Sequence, residues 1–163
     1  MKLLLGAPTS TLVVRANEEH QPLKFERILA PLDGSEEAEK ALELVTAIAQ
    51  QMGTEMILLR VTAPIQKAVG AETAKALAPQ VRRQVESYLQ TVRERWAKGQ
   101  PKVATQVESG PVAQSILEFA ESQSVDLIAL SAHGATNETA LPLGGTADKV
   151  VRGARRAVLL IRP

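Results

Sequence analysis

The sequence predicts an α/β domain built on a doubly wound parallel sheet, and three observations carry that prediction. From Phe25 onward, five short apolar runs alternate with amphipathic helix patterns. Three of those runs are nearly continuous in apolar character, as strands are when helices cover both faces of a sheet. A fourth alternates apolar with polar residues, the mark of a half-exposed edge strand.

Composition fits that class and excludes several others. A chain of 163 residues, 45% hydrophobic and 23% charged, suits one soluble domain with a substantial core. Nineteen basic residues against 18 acidic ones leave a formal charge of +1, which gives no reason to expect nucleic acid as a partner. Aromatics are only 2%, so the core is aliphatic and stacking platforms for single strands are absent. With no cysteine, disulfides, thiolate nucleophiles and cysteine metal sites are excluded, and a cytoplasmic location is expected. His20 and His133 lie far apart with no carboxylate at metal-motif spacing. The leucines at the start of the chain are interrupted by Gly6 and Pro8, so neither a secretory signal nor a membrane span is expected.

Each element follows from local pattern. "RILAPLD" (residues 27–33) is the first strand and ends in Asp33-Gly34-Ser35, where Ser35 fits a helix N-cap followed by Glu36 and Glu37. Ala38, Ala41, Leu42, Val45, Ile48, Ala49 and Met52 recur with helical period until Gly53, the natural stop. "MILLRVT" (56–62) is the second strand, and residues 63–71 read as a loop. A long helix follows, firmest after Pro79, with Val81, Val85, Tyr88, Leu89, Val92 and Trp96 on one stripe. "KVATQVES" is the third, edge strand, and Gly110-Pro111 opens the next helix. "VDLIAL" (125–130) is the fourth strand, the last helix starts near Gly144 or Gly145, and "AVLLI" (157–161) is the fifth strand.

A flavodoxin-like order 3-2-1-4-5 places the first and fourth strands side by side at the topological switch point, where open α/β sheets bind ligands. The Asp33 turn and the long polar loop "SAHGATNETALPLGGT" (131–146) therefore meet at one crevice. A structureless loop of that length in a compact domain is functional or disordered. This one re-enters a helix at Gly144-Gly145-Thr146, where backbone N–H groups form an anion site that glycines let a phosphate approach.

The pieces "ILAPLDGSEEAEKAL", "GPVAQSILEFAESQSVDLIALSAHG" and "GGTADKVVRGARRAVLLI", in this order and spacing, resemble the universal stress protein family over nearly all of residues 25–163. The resemblance implies an adenine nucleotide alpha hydrolase-like fold and, in its nucleotide-binding branch, the pattern Gly-x-x-Gly, nine residues, Gly, then Ser or Thr. Gly134, residues 135–143 and Gly144 keep the spacing, whereas Ser131 replaces the first glycine and Gly145 the hydroxyl residue. The lost hydroxyl removes a phosphate contact worth about 0.5–1.5 kcal/mol, with Thr146 adjacent to replace it.

Carried over residue by residue, the resemblance places Asp33 at the nucleoside and the backbone of Val61 at the adenine. Pro31 and Leu32 wall the base, with Leu130 opposite. Ser131 and Gly134 lie near ribose and phosphates, and Gly144, Gly145 and Thr146 hold the phosphate tail. The implied ligand is ATP, AMP or ADP, with or without Mg2+, and the implied assembly is a homodimer through the fifth strand. Each residue also has a plain reading: Val61 as core, Asp33-Gly34-Ser35 as a turn and cap, His133 as a surface loop residue.

Two functions compete: an ATP-binding stress-response regulator or sensor, and a relative without nucleotide that acts through dimerisation or protein contacts. No P-loop lysine motif and no acid–base pair is visible, so at most a slow ATPase is expected rather than a dedicated enzyme. Residues 1–24 form an N-terminal extension with a strand at about 11–15 and a polar linker, ahead of the domain at 25–163. "TLVVR" in that extension echoes "VLLIR" at 158–162, as if it were the last strand of a preceding, truncated domain. It is expected to lie beside residues 157–162 in its own chain or a partner's.

Overall fold

The computed structural model describes residues 9–15, 25–64, 69–96, 102–133 and 143–162. The linker at 16–24, Gly134 and the loop centre at 135–142 lie outside the described residues. In chain order the elements are β1 (Thr11–Val13), β2 (Arg27–Pro31), α1 (Glu36–Met52), β3 (Glu55–Thr62), α2 (Ala71–Trp96), β4 (Val103–Ser109), α3 (Val112–Ser122), β5 (Leu127–Ser131), α4 (Gly145–Gly153) and β6 (Ala157–Ile161). They build a six-stranded sheet in the order β1-β6-β5-β2-β3-β4. All neighbours run parallel except β1, which is antiparallel to β6. From β2 onward the order is 3-2-1-4-5, with β1 outside the fifth strand.

The period-two alternation of the strands divides the core between two faces. Ile28, Ala30, Met56, Leu58, Leu127, Ala129 and Leu159 meet α1 and α2 through Ala41, Leu42, Val45, Leu89 and Val92. Leu29, Ile57, Leu59, Ile128, Leu130, Val158 and Leu160 meet α3 and α4 through Ile116, Ala120, Ala147 and Val150. Both clusters are aliphatic, and Phe25, Tyr88, Trp96 and Phe119 pack only at their margins. β4, at the edge, buries only Val107, in keeping with its alternating sequence.

Ser35 caps α1 by accepting the Ala38 N–H at 3.2 Å. Gly53 ends the helix in the left-handed region at φ 65, passing its N–H to the Ala49 and Gln50 carbonyls. α2 continues without a break in its assignment past Pro79, which cannot donate to Lys75 one turn back; both residues are exposed, so the orphaned carbonyl is near water.

At the N-terminal end of the sheet a polar clamp locks β2 against its neighbours. The Asp126 carboxylate accepts the Glu26 and Arg27 amides at 2.8 and 2.9 Å. The Arg27 guanidinium donates to Glu55 at 3.0 Å and to the Gln123 carbonyl at 2.7 Å.

Five of the six strands differ from their sequence-predicted bounds: β3 begins one residue earlier, at Glu55, and β4 one residue later, at Val103, and the other three differ as follows. β2 stops at Pro31, because Leu32 makes one more bond, N–H to Leu59 carbonyl at 2.8 Å, before Asp33 turns away. β5 begins two residues later than predicted, at Leu127, and takes in Ser131. β1 ends at Val13, not Arg15: Arg15 leaves the ladder, and its guanidinium donates to the Ala154 and Arg152 carbonyls at 2.6 and 2.7 Å. The outer edge of β6, where the resemblance implies pairing between two copies, carries β1 of the same chain.

The Gly53 geometry generates a stability prediction. A Cβ there meets nothing within 4 Å, so only backbone strain opposes a side chain. Gly53→Ala should lower unfolding stability by about 1–2 kcal/mol in denaturant titration, and Gly53→Asn by clearly less, since asparagine tolerates this conformation. Equal losses would place the cause elsewhere.

Candidate functional site

β2 and β5 pair over Ile28↔Leu127 and Leu29↔Ile128, and beyond that their connections leave to opposite faces. The gap at their carboxyl ends is a cleft of about 510 Å³. Pro31, Leu32, Asp33, Val61, Leu130, Ser131, Gly144, Gly145 and Thr146 all line it, which brings together every sequence-predicted site residue except Gly134, the one outside the described residues. His133 lines it too and is half-buried, which differs from the surface-loop reading.

Two sets of polar groups in the cleft come from backbone. In a parallel ladder a residue's N–H and C=O point to one side, and alternate residues share that side. Leu59 faces β2, since its carbonyl accepts from Leu32, and Thr62 faces β4, since its carbonyl accepts from Gly110. Val61 therefore turns its N–H and C=O toward β2, past the point where β2 has ended at Pro31. Those groups open into the cleft.

On the far side stands the N-terminus of α4. Its first backbone bond runs from the Asp148 N–H to the Gly144 carbonyl at 3.0 Å, so the amides of Gly145, Thr146 and Ala147 precede any intrahelical acceptor. Gly144 supplies no side-chain cap. The helix dipole adds roughly half a positive charge there. The Gly144 N–H donates to the Ala132 carbonyl at 2.9 Å, pinning together the two ends of the long loop.

Two side chains shape the entrance. Asp33 Oδ1 accepts the Ser35 amide at 3.0 Å and the Ser35 hydroxyl at 2.5 Å, so the turn-and-cap reading is realised in the structure. Its carboxylate is nonetheless exposed at the cleft mouth. Ser131 donates its hydroxyl to the His133 carbonyl, which folds the side chain onto its own loop.

Arg60 is a site residue that the sequence reading missed. It lines the cleft from β3, and its Nη1 donates to the Leu32 carbonyl at 3.0 Å, bracing the strand end that carries Asp33. The available signal is a single cation inside the apolar run "MILLRVT". Val81 and Val85 of α2, with Val112 and Ile116 of α3, complete the apolar walls. Their spacing in the sequence is that of any apolar helix face.

The charges reach Tyr88 behind the cleft. Burial first, then the Glu39 carboxylate, pushes its phenol up to about 12, with Arg60 opposing and Asp33 adding to the rise. Glu39 is held by Arg95 at 2.6 Å.

A doubly wound sheet with an apolar crevice at its switch point defines a class of small-ligand-binding α/β domains. The model of the universal stress protein family matches residues 24–162, and the chain belongs to that family. A universal stress protein of Thermus aquaticus is 29% identical over 139 residues, covering 85% of this chain and 99% of its own. Universal stress protein MJ0577 of Methanocaldococcus jannaschii is 26% identical over 155 residues, covering 85% and 95%. The solved structure of MJ0577 superposes with a TM-score of 0.77 at 27% identity, over 86% of this chain and 97% of that one. A universal stress protein crystallised in complex with cAMP shares the fold, with a TM-score of 0.64 at 17% identity over 85% of this chain and 98% of its own. Among the described residues, no cluster of three His, Asp or Glu could hold a metal, and no helix is long and apolar enough to cross a membrane.

Tyr88 is the only tyrosine, so phenolate absorbance reads it alone. Titration should show a midpoint near pH about 12 rather than the ordinary 10.0, moving down in Glu39→Gln. Because the folded-state value is the higher one, this group's contribution to stability is full below pH 10.0 and is lost as pH rises toward about 12. A midpoint at the ordinary value in the folded protein would contradict the burial of the Tyr88 hydroxyl near the Glu39 carboxylate.

Proposed function

We propose that the chain binds an adenine nucleotide, ATP foremost, in the switch-point cleft, and works as a stress-response regulator or sensor in the cytoplasm rather than as a dedicated enzyme. One observation carries the reading: a single apolar cleft is lined both by Val61, with its outward backbone groups, and by Gly145, Thr146 and Ala147, with their uncapped amides. The first pair matches the edge of a purine, which needs one donor and one acceptor. The second group matches a polyphosphate. Pro31, Leu32 and Leu130 offer the apolar surface that a base stacks on. Family membership and the cAMP complex of a relative support the same ligand class.

A second reading has its own support. Gly145 brings no hydroxyl to the phosphate site, and Ser131 spends its hydroxyl on the His133 carbonyl. A relative that has lost nucleotide and acts through dimerisation or protein contacts fits those two departures.

Calorimetric titration with ATP, ADP and AMP, with and without Mg2+, separates the two. The first reading predicts saturable binding of ATP at one site, and absence of binding by all three nucleotides favours the second. Gly145→Asp sharpens the test. A Cβ at Gly145 meets nothing within 4 Å, and an acidic side chain suits the first turn of a helix, so the fold is kept. The same charge repels phosphates: ATP affinity should fall at least about tenfold, or ~1.4 kcal/mol, and AMP affinity by less. Unchanged ATP affinity would remove the α4 N-terminus from the site.

A further inference from the structure

We propose that β1 is a built-in guard of the β6 edge, and that the partner it holds off is a second copy of this chain. The observation is a coincidence of register. β1 pairs antiparallel with β6 through Thr11↔Leu160, Leu12↔Leu159 and Val13↔Val158, so its centre, Leu12, lies opposite the centre of Ala157–Ile161. An antiparallel pair of two β6 strands with its twofold axis at Leu159 would set Val158, Leu159 and Leu160 of the second copy opposite Leu160, Leu159 and Val158. Thr11, Leu12 and Val13 thus occupy the three positions that the second copy would fill. The sequence aligns the same way: "TLVVR" lies on "VLLIR" with Thr11 on Val158, Leu12 on Leu159 and Val13 on Leu160. Pairing geometry and sequence echo agree residue for residue, though neither determines the other.

The guarded edge is one that needs guarding. All five residues of β6 are buried, and an apolar strand with an open row of N–H and C=O groups is a template for another chain. The guard is also light enough to leave. It spans three residues, and Leu12 and Val14 remain 46% and 44% exposed, so only Val13 packs into the core beneath α3 and α4. Its other anchors are polar: the Arg15 guanidinium on the carbonyls of Ala154 and Arg152, and the Ser10 hydroxyl accepting the Arg162 amide at 3.3 Å. Homotypic pairing through β6 therefore competes with the chain's own N-terminal strand.

The chain has no cysteine, so Leu159→Cys reports on this edge alone. Opposed Cα atoms in an antiparallel pair lie ~4.5–5.5 Å apart, within disulfide reach. With β1 intact, Leu159→Cys should stay monomeric after mild oxidation on a non-reducing gel. Adding Leu12→Pro, which breaks the β1 ladder, should give disulfide-linked dimers, and Leu12→Pro alone should sediment as a folded dimer. A Leu12→Cys, Leu159→Cys double variant should oxidise within one chain. Several outcomes overturn the proposal: Leu12→Pro that sediments as a monomer or loses its fold, linked dimers from Leu159→Cys alone, or interchain linkage in the double variant, which would mean that β1 is exchanged between copies.

Discussion

The parallel pairing of β2 with β5 is the contact on which the rest of the structure depends. It is short, two residue pairs, and it is held from below by Asp126 on the amides of Glu26 and Arg27 and by Arg27 on Glu55 and Gln123. Held at one end and released at the other, the two strands send their chains to opposite faces, α1 to one and α4 to the other. A sheet wound in this way cannot avoid a crevice at that point. The cleft is thus a consequence of topology, and the side chains around it decide what it accepts.

What they decide follows from where unsatisfied groups remain. A sheet interior satisfies its backbone by pairing, and a helix interior by its own ladder. Two exceptions meet here: Val61 beyond the end of β2, and the first turn of α4 beyond an N-cap that has no side chain. Apolar walls from Leu32, Leu130, Val112 and Ile116 surround those polar groups, which is the composition of a ligand site more than of a solvated groove. Arg60 and the Asp33–Ser35 turn fix one rim, and the Ala132–Gly144 hydrogen bond fixes the other. Both rims are therefore held by contacts within the chain itself.

Much of this was legible in the sequence because it is written in local chemistry. Ser35 reads as a cap and Gly53 as a stop on residue type alone, and both take those roles. The run "AVLLI" has the bounds of β6, since a strand buried on both faces admits no polar residue within it. The glycine pair at Gly144 and Gly145 announced the start of α4. Less legible were the parts that depend on how helices lie across the sheet. Val81, Val85, Val112 and Ile116 have the spacing of ordinary core positions, and only the placement of α2 and α3 turns them toward the cleft. Arg60 stood out by its charge, but its hold on the Leu32 carbonyl is a tertiary contact. Likewise the apolar character of Leu12 to Val14 foretold a strand beside β6, while pairing within one chain and the early exit at Arg15 came from the fold.

The central claim is that one cleft holds a purine at Val61 and phosphates at the start of α4. Backbone amide chemical shifts of the isotope-labelled protein, titrated in parallel with ATP and with adenosine, test it most directly. The account predicts that the Val61 amide shifts with both ligands, while Gly145, Thr146 and Ala147 shift with ATP alone. Shifts absent from these four amides, or gathered on the outer faces of α3 and α4, would contradict it.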